Sequence, residues 1–265
     1  MQSIPHPSGA EVHPTALVDD AAELAEGVVI GPYSVVGPGV VLGARTRVGP
    51  HVLIERDTRV GEDCAIHNGA VLGTDPQDLK YAGEPTQLLV GDRTVIREYA
   101  TLNRGTSALG RSSVGNDCLL MAYAHVAHDC TLGDHVIISN SVNMGGHVCI
   151  EQWATVGGGT QIHQFVRIGQ HAFVGGASAV RKDVPPYVKA SGSPIQLYGL
   201  NSVGLQRRGF SDEVRRELKR AYRLFFASSY NTSQALARAR DELRALPEIE
   251  RFLSFFEESE RGVGV

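Results

Sequence analysis

The chain has 265 residues, 42% of them apolar and 20% charged, with a formal net charge of -4. That length allows a sizeable core, and the slight acidity excludes bulk attraction to nucleic acid as the basis of function. No run of eighteen apolar residues occurs, which excludes a helical membrane span, and four scattered cysteines (Cys64, Cys118, Cys130, Cys149) form no Cys-x-x-Cys pair. They are expected as small buried fillers in a reducing compartment, not as a disulfide framework.

The opening MQSIPHPSGAEVHP has neither a basic start nor a long apolar stretch, so no signal peptide is expected and the protein is placed in the cytoplasm. From Val12 to Val180 an aliphatic residue recurs every sixth position: Val12, Val18, Leu24, Ile30, Val36, Leu42 and onward. Units such as IGPYSV, VGEDCA and LGDHVI put an apolar residue first and often glycine second. Six residues suit one short strand and a corner, and three units close a triangular turn of eighteen. The period predicts an all-β solenoid, with the apolar residue inward and glycine supplying the corner dihedrals. About ten coils stacked at strand spacing give a prism on the order of 45 Å long. An amphipathic helix fails on period and on the many glycines.

Two segments interrupt the beat. Residues 73–89, GTDPQDLKYAGEPTQLL, read as a loop thrown outward from a corner, and its Asp78 and Lys80 are candidates for binding. Residues 103–113, NRGTSALGRSS, read as a shorter excursion, a cap over one edge or a site segment. Beyond them, MAYAHVAHDCTLG carries His125, His128 and Asp129, GGHVC carries Gly145, Gly146 and His147, and IHQF carries His163 and Gln164. One coil is eighteen residues, so His128, His147 and His163 are expected as a stripe up one edge. An imidazole oriented by a carboxylate makes a general base, which suits His128 with Asp129. A glycine at 145 or 146 can turn a backbone N–H toward a carbonyl oxygen that gains charge. Zinc held by histidines from two subunits is the competing chemistry, and corner histidines without a task are the plain alternative; His135 and His171 are read that way. Cys130 is not expected as a nucleophile, and no Gly-x-Ser-x-Gly elbow or P-loop occurs.

The beat stops at Pro185 and Pro186, and the domains divide as 1–190 and 191–265. Residues 187–200 read as a bent linker. Helices are expected after Ser211 as N-cap, from Thr232 or Ser233, and from Pro247 at a first turn, forming a small α-helical C-terminal domain. Leu218, Tyr222, Phe225, Phe226, Leu236, Phe252, Phe255 and Phe256 form its inner face. Seven basic residues between Arg207 and Arg223, against three acidic ones, could receive an anionic partner.

The stretches QDLKYAGEPT, NRGT, AHVAHDC, GGHV, IHQF, DVPPYV and RRGF, set in hexapeptide repeats, resemble the acyl-[acyl-carrier-protein]–UDP-N-acetylglucosamine O-acyltransferase family, which begins lipid A synthesis. The resemblance implies a left-handed parallel β-helix and a homotrimer with sites between subunits. It also implies transfer of an R-3-hydroxyacyl chain from acyl carrier protein to the sugar 3-hydroxyl, with no cofactor, no metal and no covalent intermediate. It makes His128 the base, Asp129 its supporter and Gly146 the oxyanion donor. His125, His147, His163, Gln164, Asp78 and Lys80 then line the substrate cleft, and Asn201, Arg207 and Arg208 lie near the nucleotide or the carrier's pantetheine path. Gly176 stands where the family gauges chain length and leaves the groove open; Phe173 and Pro194 lie nearby. Two residues depart from the pattern: Val203 where a glutamate is frequent, and Asn103 where some members carry histidine. They bear on the acceptor, so the 3-amino sugar is an alternative. A zinc-dependent β-helix carbonic anhydrase, the pathway's later N-acyltransferase and a purely structural trimer are the other rivals.

Overall fold

The computed structural model describes residues 4–5 and 9–264. Short strands, mostly of two residues, stack into three sheets of twelve, eight and nine strands, with every third strand of the chain in the same sheet. Pairing between successive coils is parallel, and the only antiparallel pairs among the described residues close the two ends of the twelve-stranded sheet. In that sheet Ile30 pairs with Val48, Val48 with Ile66, Ile66 with Ile96 and Ile96 with Leu120, and all five side chains are buried. Each such side chain contributes about 1.5–3 kcal/mol relative to exposure. The expected inward ladder is therefore present.

The corners match expectation in part: Gly27, Gly39, Gly69 and Gly159 take positive φ there, but among the described residues so do eighteen others that are not glycine, including Asp129 (58°), His147 (61°), Phe165 (64°) and His171 (57°). Aspartate and histidine tolerate this region better than most residues, and the rings stack on their equivalents one coil away, as His135 does on Trp153 with centroids 3.8 Å apart. The glycine in second position serves close approach instead. A Cβ on Gly43 would lie 2.5 Å from the carbonyl carbon of Gly61, where no atom fits.

Both interruptions leave the nine-stranded sheet and re-enter the eight-stranded one. The first runs from strand Val71–Thr74 to Gln87–Val90, the second from Thr101–Asn103 to Arg111–Val114. The following coil turns from His125–Val126 to Thr131–Leu132 at the same corner. Across the second interruption Thr101 pairs with His125, 24 positions on, where an unbroken coil would give 18. Whole hexapeptides have been added, so the beat returns in phase.

The tail holds four helices: α1 (Ser202–Arg207), α2 (Asp212–Phe226), α3 (Thr232–Glu242) and α4 (Pro247–Glu257). Ser211 caps α2 by accepting from Val214 N–H, and Asn231 with Gln234 forms a capping box on α3. The expected inner face is present, with Leu218, Phe252 and Phe255 buried and the other five partly so. Residues 187–200 are not a linker. Val188–Ser191 extends the twelve-stranded sheet and turns back through Gln196–Leu200 as a hairpin, so the expected division at 190/191 falls inside a strand. The tail is bolted to the prism by Glu151, whose carboxylate takes Arg167 and Arg251, and by Asp183, which accepts from Ser259 Oγ at 2.7 Å.

Candidate active site

The corner after strand His125–Val126 places His128 and Asp129 side by side. His128 Nδ1 lies 2.9 Å from Asp129 Oδ2, and the carboxylate is fully buried. Asp129 accepts three more bonds, all from the second interruption: Thr106 N–H at 2.9 Å, Thr106 Oγ1–H at 2.7 Å and Leu109 N–H at 3.3 Å. Burial works to raise this carboxyl, but the bonds from His128 and Thr106 outweigh it and hold the group below the usual carboxylate range. A carboxylate can only accept, so His128 Nδ1 carries the proton and Nε2 is left basic. The excursion at 103–113 is thus a clamp on the acid, not a cap over an edge, and Thr106 and Leu109 are functional residues missed in the sequence. Their one signal is a polar Arg-Gly-Thr run inside an apolar beat.

Gly146 sits one coil beyond His128. A Cβ there would lie 2.4 Å from His128 Cε1 and 2.6 Å from Nε2, so only glycine lets the imidazole lie over this backbone. His147 meets His128 edge-on with centroids 5.3 Å apart, its Nε2 is 3.7 Å from Asp129 Oδ2, and Phe165 stacks on it at 4.5 Å. His125 bonds Thr101 Oγ1 at 2.8 Å; burial, then the nearby His128, pushes its imidazole pKa down. The three-histidine stripe is corrected to two. His163 is sixteen residues past His147, not eighteen, so the ring above His147 is Phe165. His163 instead lines a shallow groove with Asn143, Gly145 and Gln161 on the nine-stranded sheet. Gln164 is exposed beside it, its backbone closing on Gly145. Cys130 is buried, bonds Gly145 O, and its thiol is pushed up to about 12 by burial, which disqualifies it as a nucleophile at neutral pH.

The outer loop is rooted in the same clamp. Arg104, fully buried, bonds Gly73 O, Asp75 Oδ1 and Tyr81 Oη, and Asn103 Nδ2 bonds Thr74 Oγ1 at 2.8 Å. Asp78 Oδ1 accepts Lys80 N–H, while Leu79 and Lys80 point into solvent. No bond joins Asp78 or Lys80 to His128 among the described residues.

The remaining candidates lie elsewhere. Asn201, Arg207 and Arg208 line a cleft of about 730 Å³ on the twelve-stranded sheet, with Phe173, Lys189, Tyr198 and Val203. Gly176 follows strand Phe173–Val174 at a different corner from His128, and a Cβ on it would come 3.0 Å from Gly158 O. Asn201 caps α1 and donates to His171 O at 3.0 Å, while Arg208 lies 5.0 Å above the Trp153 ring and 3.3 Å from His171 Nδ1. His171 is therefore no ordinary corner: it is buried at the joint of prism and tail. Within one chain this cleft and the His128 corner are on different edges of the prism.

His128, Asp129 and His147 hold donor atoms within 4.8 Å of one another, the spacing a metal would need. Both Asp129 oxygens are already engaged by Thr106, Leu109 and His128, so a cation there would have to displace the clamp.

A hexapeptide prism of this kind, with a buried acid–imidazole pair beside Gly146, belongs to the hexapeptide-repeat transferases. A family model described as bacterial transferase hexapeptide (six repeats) matches residues 21–56 and 111–146, and one described as UDP N-acetylglucosamine O-acyltransferase, domain 2, matches 183–264. The chain belongs to the acyl-[acyl-carrier-protein]–UDP-N-acetylglucosamine O-acyltransferase family. A member from Chlorobium phaeobacteroides is 60% identical, over 95% of this chain and 96% of its own. One from Chlorobaculum parvum is 56% identical over 96% of each. The LpxA structure from Acinetobacter baumannii superposes with a TM-score of 0.93 at 41% identity, covering 96% of this chain and 99% of that one. The fold is the left-handed parallel β-helix with a helical C-terminal unit. Membership sets aside the carbonic anhydrase, the later N-acyltransferase and the structural trimer. No helix among the described residues is long and apolar enough to cross a membrane.

Proposed function

We propose that this chain moves an R-3-hydroxyacyl group from acyl carrier protein to the 3-hydroxyl of UDP-N-acetylglucosamine, with His128 as general base. The observation that carries this reading is the Asp129-locked imidazole, its basic Nε2 against a backbone that only glycine permits. His128 Nε2 takes the hydroxyl proton as the sugar oxygen attacks the thioester carbonyl carbon. The carbonyl electron pair moves to oxygen, where Gly146 N–H steadies it. The pair returns, the carbon–sulfur bond breaks, and the imidazolium hands its proton to the leaving thiolate. Asp129 stabilises that imidazolium throughout.

The cleft and the corner lie on different edges, so a homotrimer would let one subunit's His128 meet another's Asn201, Arg207 and Arg208. Asp78, half-buried, and Lys80, exposed, both on the outer loop, suit contact with substrate across that boundary. Gly176, without a side chain, fits an acyl path open to longer chains. The basic tail suits an acidic carrier. In an acyl-transfer assay offering several hydroxyacyl carriers with both UDP-sugars, His128→Ala is expected to lose about 10²–10⁴-fold in kcat. A variant within a few-fold of the parent would remove His128 from the role of base. Faster turnover of the 3-amino sugar would make the product an amide.

A further inference from the structure

We infer that Thr106 is the positioning residue of the reaction: its hydroxyl assigns Asp129 to His128 rather than to His147. The inference rests on the reading of His128 as base.

Asp129 lies between two imidazoles. Its Oδ2 is 2.9 Å from His128 Nδ1 and 3.7 Å from His147 Nε2, and a carboxylate oxygen can serve either. Only the contact to His128 is a hydrogen bond; His147 stands just beyond that reach, and Thr106 keeps it there. The Thr106 N–H takes Oδ1 at 2.9 Å, and its hydroxyl takes Oδ2 at 2.7 Å, so the carboxylate is gripped at both ends and cannot swing. The hydroxyl is itself oriented: Ala108 N–H donates to Oγ1 at 3.2 Å, occupying a lone pair while the proton points at Asp129. With the hydroxyl in place on Oδ2, His128 Nδ1–H has the nearer remaining approach. The grip is stiff because Thr106 is buried and its neighbour Arg104 is pinned to the root of the outer loop. Nothing else in the segment makes a side-chain bond to the acid: Leu109 contributes only its backbone N–H.

Removing the hydroxyl while keeping the shape frees one face of Oδ2, and Asp129 then divides between the two imidazoles. His128 loses part of its carboxylate partner, and its ring loses its fixed tautomer. In Thr106→Val, kcat is expected to fall about 10- to 100-fold, the range set by losing one hydrogen bond to a charged group. KM for both substrates should stay within about twofold, since Thr106 is buried with its hydroxyl on Asp129. Thr106→Ser, which restores the hydroxyl, should return kcat to within about threefold.

His128→Ala is measured alongside. If it is inactive while Thr106→Val keeps the parental kcat, the positioning role is overturned and the base reading stands. If His128→Ala keeps its activity, the base reading itself has failed. Should Thr106→Val not fold, Thr106→Ser against Thr106→Cys decides the matter. A kcat about tenfold lower for the weaker thiol donor supports the inference, and equal values overturn it.

Discussion

Asp129 combines three demands in one residue: a left-handed backbone, full burial and four accepted hydrogen bonds. Asparagine would tolerate the backbone and fill the space, but its amide would offer a donor where an acceptor is needed. Asp129→Asn is therefore expected to fold and to lose about 10²–10⁴-fold in kcat, measured with saturating carrier and sugar. Gly146 is equally confined. In Gly146→Ala the new methyl falls on the His128 ring, and the imidazole must leave the place where Nε2 can reach the acceptor. Loss of at least about 100-fold in kcat is expected with a thermal midpoint within a few degrees of the parent, because the methyl points at the His128 ring and not into the core. An unchanged kcat would mean that His128 works from some other position.

At the scale of strands, corners and helices, the physics of the repeat divides what the sequence discloses from what it hides. The ladder was legible because every sixth side chain has one environment, and Ser211 and Pro247 marked helix starts through local backbone chemistry. The hairpin at 188–200 was not: Gly192, Ser193 and Pro194 at its tip read as a hinge, and its strands pair only with the sheet edge and each other. Nor was the clamp, since Thr106 and Asp129 are 23 positions apart and meet only because the second interruption and the His128 corner emerge at one edge on consecutive coils. The meeting of His128 with His147 follows from the coil length through Asp129, since His147 stands one coil beyond that acid, whereas His163 misses the place above His147 by two residues. The second-position glycines were noticed for the wrong reason, and the correction has a consequence. Gly43→Ala keeps an ordinary backbone yet drives a methyl into the next coil. It should cost roughly 1–3 kcal/mol, seen as a lowered denaturant midpoint. A glycine with an ordinary backbone and open space around it would show almost none of that penalty.

Taken whole, the molecule is a stiff prism with a helical tail locked over one face, and the lock includes His171. Burial, then the Arg208 guanidinium beside it, pushes this imidazole down to about 4. An unfolded histidine titrates near 6.5. Below that pH the unfolded chain binds a proton that the folded chain refuses, so stability is full above about 6.5 and declines as pH falls toward 4. The group's whole effect is on the order of 3 kcal/mol, and His125 adds to it in the same direction. Thermal midpoints measured between pH 7.5 and 5 should fall, and the slope should flatten in His171→Phe, which keeps a ring between Trp153 and Tyr187. The assembly has its own test. If the corner of one subunit works with the cleft of another, mixed oligomers of His128→Ala and Arg207→Glu chains should regain activity that neither parent shows. Sedimentation should give three times the 28.5 kDa chain.

Because Thr101 meets His125 without a slip in register, the corner above the dyad accepts extra chain only in parcels of six. An added parcel leaves every rung below it untouched, provided Thr106, Ala108 and Leu109 keep their places around Asp129. The outer loop at Gly83, which has open space around it and lies clear of that clamp, is the port for grafted segments: a six- or twelve-residue insert there should leave the atoms that move the proton where they are.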